Sequence, residues 1–361
     1  MPAWVGFIVR RLLSSIVLLL LLTLIVFLAF RQIPSQPAAF LIDIRYATPA
    51  QIQHANHVLG TDRPIYEQYG RFLWRAFHGD FGRTFRQQRG GFTVSSSTGK
   101  PVLPLVLRAG AVTGAIVFGG AILLFLVSIP LGMFAASRPR SAADRASTGV
   151  SMIGISTHPL VIALLLQLFL ASKWHWLPQT GYCDFLPKQQ SATSYDPAAA
   201  CSGPGGWAKH LAIPWIVFAV FFIALYSRMI RARMLEVLDQ DYIRTARAKG
   251  ATQRRVLFRH ALPNTALPVI TMLAMDIGTA VGICVYIEAV FRMPGLGYET
   301  LQSLGGLGLD LPVLIGITIF TGTMIIVLNL LVDIVSVILD PRIRRSPRAG
   351  RGAFGLTARA T

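Results

Sequence analysis

Long apolar runs alternate with shorter polar segments along most of this chain. Six of the runs reach the length, about 20 residues, that a helix needs to cross a hydrocarbon core of about 30 Å. They cover residues 7–30, 110–136, 148–171, 211–230, 265–291 and 311–339. Because only helices and closed barrels satisfy the backbone within a bilayer, the pattern predicts an all-α integral membrane protein with six transmembrane helices. We expect residues 1–361 to form a single transmembrane domain.

A polar region at residues 31–100 separates the first two runs and is too long for a simple connector. Within it, residues 63–78 predict an amphipathic helix, with Pro64 in the first turn and Gly79 as a stop. The apolar positions at helical spacing are Ile65, Tyr69, Phe72, Leu73, Ala76 and Phe77. This face would lie on the outer surface of the bilayer or pack on the ends of the transmembrane helices.

Charge gives these helices an orientation. The chain is 53% hydrophobic and only 14% charged, with a formal net charge of +18. Arginines concentrate after the second run, after the fourth run and in the tail 340–361, whereas Arg292 is the only basic residue between the fifth and sixth runs. Basic residues accumulate in short cytoplasmic loops, so both termini are predicted to be cytoplasmic and residues 31–100 extracytoplasmic. The net charge then reflects topology and attraction to anionic membrane lipid, and no nucleic-acid partner is expected.

A second extracytoplasmic loop, residues 172–210, contains Cys183 and Cys201. On the oxidising side of the membrane a disulfide between them would stabilise the loop by about 3 kcal/mol. Two independent free thiols are the alternative.

Motifs for covalent chemistry or metal binding are absent from the sequence. It contains no HExxH, no phosphate-binding glycine loop and no nucleophile motif within an apolar run. His54 and His57 share the spacing of one helix face, but no further ligand lies near them in the sequence. We therefore expect no catalytic residue, no metal site and no bound cofactor in this chain.

Three acids and one asparagine fall inside the apolar runs, where each costs free energy. Asp276 and Glu288 lie in the fifth run, and they either line a translocation path or pack between helices. Asn329 and Asp333 lie four residues apart in the sixth run and therefore share a face. For this second pair we favour polar contacts between helices.

The basic segment 231–264 lies between the fourth and fifth runs and includes DYIRTARAKG. Acids precede bases in it, and Gly250 follows, which is typical of a helix and its C-terminal stop. Tyr242, Ala246 and Gly250 follow one another at i+4 on one face. The residues predict a helix that docks on a cytoplasmic partner; a basic helix lying on anionic lipid is the alternative. A second short helix would run from Thr252 to a break at Pro263.

RTARAKG, followed after nine residues by HALP, resembles the cytoplasmic signature loop of bacterial ABC importer permeases. The spacing of that signature is kept, while its usual Glu and Ile are replaced. GDFG, PLGMFAA, WLPQTGY, EAVFRMPGLG and LVDIVSVILDPRIR also resemble the branch that imports dipeptides, oligopeptides and nickel, in particular dipeptide permeases of the B type. The cysteine-bearing insert after WLPQTGY departs from the usual short loop of this family.

The resemblance implies a permease subunit in the bacterial cytoplasmic membrane, paired with a second permease that is expected to be a paralogue. Two ATP-binding subunits would bind ATP and Mg²⁺, and an extracytoplasmic solute-binding protein would deliver a peptide substrate. By analogy, the ATPase-coupling contact would comprise Asp241, Tyr242, Arg244, Thr245, Ala246, Arg247, Gly250, Leu262 and Pro263. Import of nickel or another small solute is an alternative, as is an ion-coupled secondary carrier that uses Asp276 and Glu288.

Overall fold

The computed structural model describes residues 3–32, 48–51, 53, 64–84, 100–137, 139, 141, 149, 154, 157–186, 201–305 and 309–339. Within these residues the protein is helical and has no β-strand, only an isolated bridge between Arg83 and Pro101. The predicted tail 340–361, most of the region 31–100 and residues 148, 150–153, 155 and 156 of the predicted run 148–171 lie outside the described residues.

The helices fall into long membrane-type elements and short connecting ones. In chain order they are α1 Ala3–Gln32, α2 Ile65–Phe77, α3 Val102–Ser137, α4 Pro159–Leu166, α5 Pro204–Leu238, α6 Asp241–Ala248, α7 Gln253–Arg255, α8 Leu262–Phe291, α9 Leu296–Gly305 and α10 Leu311–Leu339. Two π-helical segments continue this path, Gln167–Lys173 after α4 and Val256–Ala261 between α7 and α8.

Four of these helices, α1, α3, α5 and α10, are long and apolar enough to cross a membrane. The end of α8 and the whole of α9 form a pair bent by 68°, which makes a fifth candidate span. The described part of the third predicted run is a shorter apolar helix, Pro159–Lys173. The prediction of a helical membrane protein is therefore confirmed at the level of these candidate spans.

Several helices extend beyond the apolar runs that predicted them. The run 211–230 lies inside the 35-residue helix α5, and the run 110–136 lies inside the 36-residue helix α3. The predicted break at Pro263 is wrong, because the π-helical turns pass directly into α8. Pro263 occupies the first turn of α8, where its fixed φ suits the helix and a missing N–H is best tolerated.

Among the described helices, α3 and α5 share the most extensive contact, and glycines bring the two helices together. A Cβ added at Gly119 would lie 2.2 Å from the Trp215 ring, and one at Gly120 would lie 2.5 Å from the Phe218 ring. Trp215 Nε1 also donates a 2.9 Å hydrogen bond to the Ala115 carbonyl. Small residues that admit large neighbours are the usual means of packing helices within a membrane.

Helix α2 packs against α1 along part of its predicted apolar face. The Tyr69 hydroxyl lies 3.1 Å from the Thr23 hydroxyl, and the Tyr69 and Phe27 ring centroids are 5.5 Å apart. Ile65 and Phe77, at the two ends of that face, are exposed instead. The amphipathic helix therefore exists as predicted, and Tyr69 and Phe72 in its middle contact Phe27 of α1.

Candidate functional site

Helix α6 is a surface helix that follows α5 and packs on the π-helical segment Val256–Ala261. Ile243 is fully buried and is the one buried residue of the helix. The Tyr242 hydroxyl accepts a 2.8 Å hydrogen bond from Asn264 Nδ2, which also donates to the His260 carbonyl at 3.1 Å. One apolar side chain and one hydrogen bond thus fix the helix to the body of the protein.

The outward face of α6 is exposed and cationic. Most of the predicted coupling residues lie on it, namely Asp241, Tyr242, Arg244, Thr245, Arg247 and Gly250, while Ala246 is half-buried. Arg244 pairs with Asp239 at 3.3 Å and with Asp241 at 3.5 Å, so part of its charge is compensated locally. Arg247 lies exposed in the last turn, where a cation also complements the helix dipole.

Gly250 ends this helix, as the sequence predicted. Its φ of +79° is left-handed, and its N–H donates to the Arg247 carbonyl at 3.0 Å. The next residue, Ala251, donates to the Ala246 carbonyl at 3.1 Å. A Cβ at Gly250 would meet nothing within 4 Å, so the backbone conformation, and not a close neighbour, favours glycine here.

The last two predicted coupling residues differ in their surroundings. Leu262 is half-buried and packs against a small core cluster that contains Met133 and Met234. Pro263 is exposed at the start of α8. The structure thus brings Pro263 and the face of α6 to one surface, while Leu262 supports that surface from below.

Glu288, near the end of α8, is fully buried and accepts three hydrogen bonds. Thr113 Oγ1 donates to it at 2.6 Å, and the backbone N–H groups of Gly297 and Tyr298 donate at 2.7 and 3.1 Å. Thr113 in turn accepts from the Leu296 N–H at 2.9 Å. The carboxylate therefore caps the N-terminus of α9 and ties the bent helix pair to α3.

Two glycines in this bend leave no room for a side chain. A Cβ at Gly295 would lie 2.2 Å from Glu288 Cδ, and one at Gly297 would lie 2.4 Å from Val285 Cα. The bend is thus closely packed around the buried carboxylate.

Asp276, the other acid of the fifth run, accepts a 2.9 Å hydrogen bond from the Tyr226 hydroxyl of α5. Tyr226 is fully buried and Asp276 half-buried. In this structure both Asp276 and Glu288 make contacts between elements; that they line a translocation path stays a prediction.

The polar pair of the sixth run lies on the side of α10 that faces α1. Arg11 Nε lies 2.7 Å from Asp333 Oδ2, and Arg11 Nη2 donates to Oδ1 at 3.0 Å. Asn329 is half-buried one turn earlier. Asp333 on α10 therefore forms a bidentate ion pair with Arg11 on α1.

Cys183 and Cys201 are joined in a disulfide. Cys183 is fully buried, and its sulfur lies 3.1 Å from His210 Nδ1 at the start of α5. The backbone carbonyl of the next residue, Asp184, accepts a hydrogen bond from the Gly203 N–H at 2.9 Å. The bridge thus holds both ends of the insert against α5.

Sequence reasoning did not identify the partners of these polar residues. Thr113, Tyr226, Arg11 and Asn264 each lie between 22 and 322 residues from the side chain that they contact. A hydroxyl or a flanking arginine in an apolar run carries no signal for a partner at such separations.

Comparison with known proteins agrees with this geometry. Residues 128–345 match the family described as binding-protein-dependent transport system inner membrane component, and residues 4–117 match the N-terminal family of the same systems. The chain is 33% identical over 341 residues to a putative peptide transport system permease protein of Brucella abortus (strain 2308), covering 93% of this chain and 98% of the relative. It is also 33% identical over 338 residues to the oligopeptide transport system permease protein AppB of Bacillus subtilis (strain 168), covering 94% and 99%.

Among solved structures, the fold is similar to the inward-facing MetNI methionine ABC transporter. The TM-score is 0.52 at 18% identity, and the match covers 67% of this chain and 100% of that one. The family match, the named relatives and the long apolar helices define a multi-pass permease of the cytoplasmic membrane. The chain belongs to the family of binding-protein-dependent transport system inner membrane components, which confirms the resemblance seen in the sequence.

Proposed function

We propose that this chain is a permease subunit of an ATP-driven peptide importer and forms the translocation path together with a second permease. The observation that carries the proposal is the exposed helix α6, held at the junction of two long helices by Ile243 and Tyr242. The names of the peptide permeases of Brucella abortus and Bacillus subtilis support peptide as the solute.

In this proposal α6 is the contact through which ATP hydrolysis moves the membrane helices. ATP-binding subunits hold ATP and Mg²⁺, while this chain binds no cofactor and has no hydrolytic activity of its own. The exposed Arg247 and the open surface at Gly250 meet the partner. Displacement of α6 then reaches α8 directly, because the Tyr242–Asn264 hydrogen bond joins the two helices.

The proposed topology has six transmembrane helices and both termini in the cytoplasm. The four long apolar helices supply four of them, α8 supplies the fifth, and α4 with the preceding apolar run supplies the sixth. The second permease is a paralogue, and an extracytoplasmic binding protein delivers the solute to the end that carries α2 and the disulfide-linked insert.

Nickel or another small solute is the alternative cargo within the same class of importer. An ion-coupled carrier is a more distant alternative, and it would need Asp276 or Glu288 to bind an ion. Each carboxylate already accepts hydrogen bonds from neighbouring elements, so no observation favours that reading.

Uptake of a radiolabelled peptide into membrane vesicles that contain the complete assembly tests the proposal. We expect uptake to require ATP and the binding protein and to survive collapse of the ion gradients by ionophores. Arg247→Glu and Gly250→Leu should abolish uptake while the chain still inserts in the membrane. Uptake that follows an ion gradient would contradict the importer, and uptake of Ni²⁺ without peptide uptake would move the proposal to the alternative cargo.

A further inference from the structure

An open pocket of about 620 Å³ lies where α3 begins, beside the α8–α9 bend. Its lining residues are Lys100, Pro101, Pro104, Leu105, Arg108, Ala109, Tyr182, Arg292, Pro294 and Glu299. The volume lies in the range, about 300 to 1,000 Å³, of sites that hold small organic molecules. None of the residues assigned above to coupling or to the buried network lines it.

The lining has an excess of positive charge. Lys100, Arg108 and Arg292 contribute three cations, and Glu299 contributes the one acid. Lys100 and Arg292 are exposed, and Arg108 pairs with Asp184 at 3.7 Å. Guanidinium groups bind carboxylates through paired hydrogen bonds, so this chemistry selects an anionic ligand of carboxylate type.

Arg292 has a strained backbone. Its φ of 51° and ψ of 44° are left-handed, a region that a long side chain seldom adopts outside glycine and asparagine positions. The neighbouring backbone fixes this conformation, because the Gly181 N–H donates to the Phe291 carbonyl at 2.9 Å and the Met293 N–H donates to the Glu288 carbonyl at 3.0 Å. Strain at a non-glycine residue persists at ligand clamps, where the side chain serves a function.

Most of the remaining wall of the pocket is apolar. Pro101, Pro104, Leu105, Ala109 and Pro294 form this part, and the Tyr182 hydroxyl beside them accepts a hydrogen bond from Trp207 Nε1 at 3.2 Å. A cationic end beside an apolar wall suits a short peptide. The carboxylate of the peptide would face the cations, and its apolar side chains would face the wall.

We propose that this pocket is a subsite for the C-terminal carboxylate of a transported peptide, with Arg292 as its principal contact. The proposal rests on peptide import as the function of the chain and names the group of the substrate that is recognised. A carboxylate side chain on the delivering protein would have the same chemistry, and the experiment below separates the two sources.

The test measures ATP-dependent uptake by the complete reconstituted assembly, with trialanine and trialanine amide as the two probes. For each assembly we would divide kcat/KM for trialanine by kcat/KM for trialanine amide. Comparing this ratio between wild type and Arg292→Asn isolates the coupling of residue 292 to the carboxylate. We expect the ratio to fall by about tenfold in the variant, as for the loss of one charge-assisted hydrogen bond. Arg292→Lys keeps the charge and should retain most of the ratio.

Asparagine is the matched replacement because it accepts a left-handed backbone, so Arg292→Asn should unfold at the wild-type temperature or above it. An unchanged ratio in Arg292→Asn would overturn the proposal. An equal loss for both probes would also overturn it and would assign Arg292 to contact with the delivering protein. If the wild-type assembly transports neither probe, peptide import itself fails, and this subsite fails with it.

Discussion

Two junctions of this protein end a helix with a left-handed residue and differ in almost every other respect. The first junction follows α6 at Gly250, with φ of +79°, and the second is the bend after α8 at Arg292, with φ of 51°. Around Gly250 a side chain would meet open space, whereas the bend packs Gly297 against the Val285 backbone. The junction at Gly250 is exposed, whereas the bend after α8 is closely packed.

The polar contacts of the two junctions differ in the same way. The bend is organised by buried Glu288, whose acceptors satisfy the donors of Thr113 and of the first turn of α9. The junction after α6 relies on the buried side chain of Ile243 and on the exposed hydrogen bond between Tyr242 and Asn264. A buried, satisfied network resists deformation, while a lightly anchored surface helix transmits force from a partner. The comparison predicts that damage to the bend affects folding and damage to α6 affects coupling.

The largest effect is expected from Glu288→Ala. The change removes the acceptor of the Gly297 and Tyr298 N–H groups, whereas Thr113 Oγ1 can still donate to the Ala109 carbonyl at 3.2 Å. Loss of this acceptor in the closely packed bend should cost about 3 kcal/mol of unfolding free energy. Glu288→Gln keeps one acceptor oxygen, so its unfolding free energy should lie between those of wild type and Glu288→Ala. Thermal unfolding of the purified chain in detergent measures the difference.

Glu236→Gln is the matched control, because Glu236 is exposed on α5 and pairs only with exposed Arg233 in an i,i+3 contact. Such a surface pair is worth about 1 kcal/mol or less. If Glu288→Ala unfolds at the same temperature as this control, the bend is not organised by its carboxylate.

Ile243→Ala should have the next largest effect, and a local one. Removing a fully buried Ile side chain costs about 2 kcal/mol at the low end of such changes, and α6 has no other buried residue. We expect faster amide hydrogen exchange throughout α6 and loss of ATP-driven uptake, with the unfolding temperature of the spans preserved. Ile243→Val, with one methyl group fewer, should retain most of the uptake. Unchanged exchange in Ile243→Ala would show that α6 is held by other contacts.

A pair of alanine substitutions compares the two junctions directly. Gly297→Ala places a Cβ 2.4 Å from the Val285 Cα and should destabilise the folded chain by about 1 to 3 kcal/mol. Gly250→Ala meets no atom, so only the left-handed backbone opposes it, at about 1 kcal/mol. Asparagine suits a left-handed backbone, so Gly250→Asn should be more stable than Gly250→Ala and close to wild type. Equal unfolding temperatures for the two alanine variants would remove the distinction between a closed bend and an open junction.

The smallest effect is expected at the contact between α1 and α10. Arg11 and Asp333 are partly exposed, with side-chain exposed fractions of 50% and 26%. Their ion pair should contribute about 1 kcal/mol or less, so Asp333→Asn should lower the unfolding temperature slightly. The double variant Arg11→Gln/Asp333→Asn should be no less stable than the worse single one, and a strictly additive loss would contradict the pairing.

Sequence patterns predicted the apolar part of each long helix because a helix that crosses a hydrocarbon core needs a continuous run of apolar residues. The bounds 311–339 coincide with α10, whereas α5 continues through Arg231 and Arg233 to Leu238, where helical residues are no longer apolar. The stop at Gly250 followed from glycine's access to a left-handed backbone. The contacts of Glu288 and Asp333 could not be predicted, because their partners Thr113 and Arg11 lie 175 and 322 residues away.

The most direct test of the account is whether the exposed face of α6 holds an ATP-binding subunit. The tagged chain would be purified in mild detergent from its native membranes, as wild type, as Arg247→Glu and as Arg75→Glu, a charge reversal at an exposed residue of α2. We expect an ATP-binding subunit and a second permease to co-elute with wild type and with Arg75→Glu. With Arg247→Glu the ATP-binding subunit and its ATPase activity should be lost. Full retention of that subunit and its activity in Arg247→Glu would contradict the assignment of α6 as the coupling surface.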